Sequence, residues 1–197
     1  MSLQPIKLNL KVYQGSTFVE TIRWESSLKD YVPITNISKS APLVVTTNNS
    51  HTIPANWRVK ITVTNGMKEL SNAIDYLTVT SVTSTTLTFN SINSISYTTY
   101  VSGGIIEYNV PIDLANTTAR MQIREKASSS VVIDELTTAN GKLVIDNALK
   151  EIRILVPATV TAAYNFTSAA YNLEIVQGST VIPLLFGSVT LEREITK

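Results

Sequence analysis

The chain has 197 residues, 44% of them hydrophobic and 16% charged, with no cysteine and a formal net charge of +1. This length allows one large or two small domains, and the apolar share is enough for a buried core, which excludes a disordered chain. The near-neutral charge leaves no footprint for nucleic acid or an anionic membrane, and the missing cysteines exclude disulfides, thiolate metal sites and thiol catalysis. The N-terminal stretch alternates from the start instead of forming a continuous apolar segment, and no run approaches the roughly 18 apolar residues of a membrane helix. The expectation is a soluble protein made in a cytoplasm.

Residues 6–12 read as a first strand, with Ile6, Leu8, Leu10 and Val12 on one side and Lys7, Asn9 and Lys11 on the other. Gly15-Ser16 breaks it. Residues 18–24 form the second strand, in which Phe18, Ile22 and Trp24 share a parity. Glu20 falls on the same parity, which places it at an edge or calls for a bulge. Trp24 is the expected aromatic anchor between sheets.

Val32-Pro33-Ile34-Thr35 is nearly repeated as Val110-Pro111-Ile112-Asp113. Excising 34–111 rejoins the chain as DYVP-IDLANTTARMQIRE, a smooth strand–turn–strand, so 34–110 reads as a small domain inserted in a loop of a larger one formed by 1–33 and 111–197. Within it, strands are expected over 42–47, 57–63, 77–82 and 87–89, with a closing strand from Gly104. Turns fall at 48–50, at Asn65-Gly66 and at 102–104. Five short strands in this span suggest a small barrel or compact sandwich.

From Val110 to Ile154 the chain reads as a β-meander. Met121 and Ile123 alternate with Arg120, Gln122 and Arg124; a run from Val132 to Leu136 leads to the turn Asn140-Gly141; Leu143, Ile145, Ile152, Ile154 and Val156 follow. Residues 157–166 break the alternation and suggest one helical turn across an end of the sandwich. Tyr171, Leu173 and Ile175 start a final hairpin that turns at 177–180 and returns from Val181 to Leu191. Pro183 argues for an edge position, Gly187 for a bulge, and the charged end Glu192 to Lys197 for fraying.

Two resemblances accompany these patterns. Gly15, Phe18, Trp24, Pro111 to Leu114 (PIDL), Thr118 to Arg124 (TARMQIR), Glu135 to Gly141, Tyr171 to Glu174, Leu185 to Val189 and the closing Glu194-Ile195-Thr196 resemble a widespread small protein of tailed bacteriophages and prophages. Ala115-Asn116 departs from that family's Thr-Gly. Within the insert 34–110, residues 41–104 resemble a β-rich module of phage virion proteins through Val45 to His51, Val59 to Met67, Tyr76 to Val79 and Tyr97 to Gly104, with Thr52 where the module has glycine. The resemblance implies an Ig-like β-sandwich that serves in phage tails, baseplates or adaptors, with no established catalytic role. The fold expectation is therefore all-β: an Ig-like β-sandwich with a small β-barrel or β-sandwich domain inserted in a loop.

Chemistry-bearing residues are few. His51 is the only histidine, so a histidine-based triad or multi-histidine metal site is impossible, and it reads as a turn residue hydrogen-bonding its own hairpin. Asp113, Asp134, Glu135 and Asp146 supply carboxylates, but in strand and turn positions whose default is a solvated face. No phosphate loop, nucleophile elbow or zinc spacing occurs. Tyr97, Tyr100 and Trp57 are candidates for an aromatic surface, with core or protein-interface use favoured over glycan binding. Arg120 and Arg124 share an outward strand face suited to pairing with glutamates of a neighbour.

The functional expectation is a non-enzymatic structural component of a phage virion, assembled in the host bacterial cytoplasm. It would act as an adaptor or decoration piece of tail, collar or baseplate, in symmetric multiple copies contacting other phage structural proteins and fibres. No cofactor, metal, nucleic acid or membrane is expected. A carbohydrate-binding module on the particle surface is the alternative.

Overall fold

The computed structural model describes residues 4–71 and 76–195. The chain is almost entirely β and divides into two compact units: Met1–Arg23, Leu114–Asn147 and Glu151–Lys197 form one, Trp24–Asp113 and Ala148–Lys150 the other.

The first unit opens with β1 (Ile6–Lys7), β2 (Leu10–Tyr13) and β3 (Phe18–Arg23). The second contains β4 (Glu25–Ile37), β5 (Leu43–Thr47), β6 (Arg58–Asn65), the single turn α1 (Lys68–Ser71), β7 (Leu77–Thr78), β8 (Ser81–Val82), β9 (Thr86–Phe89) and β10 (Ser102–Pro111). The chain then returns to the first unit through β11 (Thr117–Arg124), β12 (Val132–Thr137), β13 (Leu143–Asp146) and β14 (Glu151–Val156). The short helix α2 (Ala158–Ala162), β15 (Ser168–Gln177) and β16 (Thr180–Glu192) complete it.

The first unit is a two-sheet sandwich. One sheet runs β16-β15-β11-β12, with β1 and β2 both parallel to β16 at the far side; the other is β13-β14-β3. Placing β3, β14 and β13 opposite β11, β15 and β16 reproduces the B-E-D and C-F-G sheets of the immunoglobulin sandwich. Leu10, Val12, Met121, Ile123, Leu136, Ile154, Val156 and Val189 face one another between the layers.

Several sequence expectations are corrected here by non-local pairing. The 110–154 stretch is not a meander: β11 and β12 form a hairpin in one sheet, and the chain then crosses at Asn140-Gly141 to build β13 and β14 in the other. Glu20 needs no bulge, because β3 is the outer strand of its sheet and pairs with β14 in unbroken register. Gly187 is not a bulge either; the register shift lies opposite Leu173 and Glu174, which is why Leu184 and Leu185 are both buried. Gly187 is instead a close approach, where an added Cβ would lie 2.1 Å from the Leu8 carbonyl oxygen. Trp24 is half-buried and outside the core; Tyr164 and Tyr171 are the sandwich's buried aromatics. Pro183 occupies the part of β16 that pairs only with β15, as its missing N–H requires. Of the charged end, Thr196 and Lys197 lie outside the described residues.

Helix α2 lies across the end of the sandwich as the broken alternation suggested. Buried Thr161 donates its hydroxyl to the Ser16 carbonyl at 2.7 Å, and the Gln14 side-chain amide donates to the carbonyls of Ala162 and Tyr164. The Gln14 bonds satisfy carbonyls that the end of a helix this short leaves open, and the Thr161 bond ties the helix to the turn before β3.

The second unit is a closed barrel. Its strands follow the order β7-β6-β10-β4-β5-β9-β8, and β7 with β8 are the two ends of one extended stretch, 77–82. Val79 donates to the Trp57 carbonyl and Thr80 to the Thr88 carbonyl, so this stretch joins the sheet's two ends. The long strand β4 makes closure possible by pairing β10 with its first half and β5 with its second. Its pairing runs through the Val32-Pro33 position and draws residues 24–33 into the barrel. The interior is filled by Trp57, Phe89, Tyr108, Leu43, Leu87, Ile106 and their neighbours.

Candidate interaction surface

The sandwich's outer polar face is centred on β11. Ala119, Met121 and Ile123 point into the core, so Arg120, Gln122 and Arg124 project outward. Antiparallel register sets Asn172 and Glu135 on either side of Gln122, Glu174 beside Arg120, and Ala170 beside Arg124. The side chains are locked together. Arg120 Nε donates to Glu174 Oε2 at 2.7 Å. Gln122 Nε2 donates to Glu135 Oε1 at 2.8 Å, and its Oε1 accepts from Arg124 Nη2 at 2.7 Å and Nε at 3.2 Å. Arg124 Nη1 donates to the Ser129 carbonyl, tying down the turn that follows β11. Together they border a groove of about 340 Å³. Among the described residues Arg120 thus meets a glutamate of its own sheet, and Arg124 only neutral oxygens, of Gln122 and of the following turn.

The edges beside this face are less available than its centre. Two outward backbone groups at the end of β12 are met by Asn140, whose Oδ1 accepts from the Thr137 N–H and whose Nδ2 donates to the Glu135 carbonyl. In the barrel, Asp30 Oδ1 accepts from the Tyr31 N–H on the side of β4 away from β10. Such self-capping discourages strand addition. It argues against strand edges as docking surfaces at these two places and leaves the faces.

The aromatic candidates separate. Trp57 is fully buried and donates its indole N–H to the Asn109 carbonyl at 2.9 Å, so it is a core residue rather than a contact surface. Tyr97 and Tyr100 are half-buried against the barrel core, and Tyr100 donates its hydroxyl to the Ile34 carbonyl. The barrel's exposed aromatics are others. Tyr31 is 51% exposed beside Glu107 and Lys29, and Tyr76 lies under the Arg58 guanidinium, 5.2 Å from the ring centre. Arg58 is also paired with Glu25 at 2.8 Å. The alternation of Arg58 and Lys60 with Val59 and Ile61 marks this face in the sequence, but nothing local brings Tyr31 and Tyr76 to it.

The carboxylates do not converge. Glu135 is engaged by Gln122, and Asp113 accepts from Lys150 Nζ at 3.0 Å. Asp134 points inward, where its carboxylate pairs with Lys142 and accepts the Tyr164 hydroxyl at 2.6 Å. Burial, reinforced by the Asp134 charge, pushes the Tyr164 pKa far above its ordinary value. Burial also raises that of Tyr171, to about 12, with help from the Glu20 charge; the Tyr171 hydroxyl donates to the Leu8 carbonyl. Among the described residues no three histidines or acids are grouped as metal ligands, and no helix is long and apolar enough to cross a membrane.

His51 corrects its expectation in part. Its backbone N–H donates to the Ser84 carbonyl, but both ring nitrogens are enclosed without a hydrogen-bond partner of ordinary geometry. Burial lowers its pKa, against a weaker opposing pull from the Thr86 backbone.

No protein-family model matches this chain, and no curated protein matches it in sequence.

Proposed function

We propose that this chain is a non-enzymatic structural component of a tailed-phage particle, an adaptor or decoration piece of tail, collar or baseplate. The setting comes from the motif resemblance, which follows the sandwich strands from Gly15 to the C-terminal hairpin. The observation that carries the mode of action is the outer face of β11 and β15, where pre-ordered charged and amide groups border a groove while Asn140 caps the neighbouring edge. A face whose side chains are already fixed loses little entropy on docking. In a ring of identical copies such contacts are heterologous: one face of each copy meets a different face of the next. Partners are other phage structural proteins, and no cofactor is required.

The test is cryo-EM and peptide mass spectrometry of purified particles from the phage or prophage that encodes the chain. Stoichiometric copies in a tail, collar or baseplate ring are the expected outcome; particles lacking the chain would overturn the proposal.

The second reading, a carbohydrate-binding module, is favoured by one observation, the exposed Tyr31 and Tyr76 beside Arg58 and Lys29. Replacement of Tyr31 by alanine separates the two. Loss of glycan binding with intact assembly supports the module, and defective assembly supports the adaptor.

A further inference from the structure

The charge state of Arg124 has a consequence for what the sandwich face binds. Its guanidinium is half-buried and pinned by three hydrogen bonds, two to Gln122 Oε1 and one to the Ser129 carbonyl, all neutral acceptors. Among the described residues no carboxylate pairs with it, whereas Arg120 two positions away has Glu174. Gln122 stands between Arg124 and the nearest acid in this network, Glu135, by accepting from one and donating to the other. A guanidinium carries five N–H donors, so three bonds leave one N–H on each terminal nitrogen. Neighbouring small side chains keep space beside it: Ala170 is its register partner on β15, and Ala127 lines the same groove. Asn172, in register with Gln122, adds an exposed amide that has no hydrogen-bond partner among the described residues.

We infer that this groove is a receptor for a carboxylate on an acidic, extended segment of a partner protein, gripped by Arg124 and Asn172. A fixed guanidinium with two free donors matches the two oxygens of a carboxylate, and pre-ordering removes most of the side-chain entropy cost. The groove continues into an adjoining depression that shares Ala127 and Ala170 and adds Lys7 and Lys126, together with Glu125. Neither lysine has an ion-pair partner among the described residues, so Arg124, Lys126 and Lys7 offer successive positive charges to more than one acidic residue. The flanking Glu135 and Glu174 favour single negative charges over a phosphate dianion. Beside Arg124 no aromatic ring is exposed for a pyranose to stack on, since Tyr171 is buried, which favours a peptide over an acidic sugar there; Phe186, 40% exposed, lines only the adjoining depression.

The inference rests on the adaptor reading only in taking the partner to be a protein, and its test needs no particle. Fluorescence anisotropy of the full chain with fluorescein-labelled hexaglutamate, at low ionic strength, is the measurement; labelled hexaglutamine and a labelled oligogalacturonate are the comparison probes. Saturable hexaglutamate binding is expected, weakened about tenfold in Arg124→Gln as one bidentate charge-assisted contact is lost. Asn172→Ala, which breaks no side-chain hydrogen bond among the described residues, weakens it severalfold, and Lys39→Gln in the barrel leaves it unchanged. Absence of saturation with hexaglutamate overturns the receptor. So does parental affinity in both Arg124→Gln and Asn172→Ala, and tighter binding of oligogalacturonate overturns the peptide assignment. Particles that lack the chain, with hexaglutamate binding intact, would overturn the adaptor reading alone.

Discussion

The sandwich and the barrel handle the same liability, unpaired strand edges, in different ways. The barrel removes most of its edge by closure: residues 77–82 serve β6 with one end and β9 with the other. The sandwich keeps its edges and caps one with a side chain, Asn140 on β12. Their interiors differ accordingly. In the barrel three buried aromatics, Trp57, Phe89 and Tyr108, pack with aliphatic side chains in one core. The two-sheet sandwich leaves room near the end of β12 for an Asp134–Lys142–Tyr164 cluster. Both interiors hold polar groups: buried Thr47 and Ser94 of the barrel are met by backbone groups, whereas Asp134 of the sandwich meets an oppositely charged side chain.

The sharpest way to break this contrast is Trp57→Ala. It removes the barrel's largest buried side chain and is expected to cost about 3–5 kcal/mol of barrel stability. Hydrogen exchange should show lost protection in residues 24–113 and little change in β11 to β16; equal loss in both units would show that the barrel core is not separate. Tyr164→Phe tests the sandwich's polar interior. It leaves Asp134 with Lys142 alone and is expected to cost about 1–3 kcal/mol in urea unfolding, read in β11 to β16.

Two glycines of the sandwich's last hairpin sharpen the comparison between packing and backbone strain. At Gly187 an added Cβ meets the Leu8 carbonyl at 2.1 Å, so Gly187→Ala should displace β1 and cost about 1–3 kcal/mol. Gly178 has φ +58 with nothing within 4 Å, and Gly178→Ala should cost only about 1 kcal/mol, from the left-handed backbone alone. Thermal melts of the two variants give the order directly.

The smallest effect belongs to His51. Its pKa is lowered in the folded barrel, so the unfolded chain takes up the proton first as pH falls. The stabilisation is complete above the ordinary histidine value of about 6.5 and is lost progressively below it. Urea midpoints above and below that value should differ more in the parent than in His51→Gln, and an identical pH dependence would contradict the assignment.

Local patterns explain which of these features were readable in advance. The alternation in 118–124 places Arg120, Gln122 and Arg124 outward because side-chain direction in a strand depends only on parity. Pro183 announces its edge position because it lacks a donor. Trp24, expected as the anchor between sheets, is half-buried, and Trp57, for which core and interface use both stood open, is fully buried: each lies in or beside an alternating run, and burial is decided by whether another layer covers that run. Tyr97 and Tyr100 follow no strand period and gain their partial burial from a loop packing on the barrel. Asn140 reads as the first residue of a turn, and its second role as a cap for β12 depends on the direction in which the chain leaves that strand.

The sequence by itself determined the all-β class, most of the shorter strands and the outward face of β11, though not the long β4, because periodicity and turn residues are properties of neighbours along the chain. Tertiary structure alone decided which strands share a sheet, that 77–82 closes a barrel, that the chain changes sheets at Asn140-Gly141, and that Arg124 meets only neutral acceptors among the described residues. Each of those depends on a partner brought close by folding, and hydrogen-bond partners across sheets leave no period in the sequence.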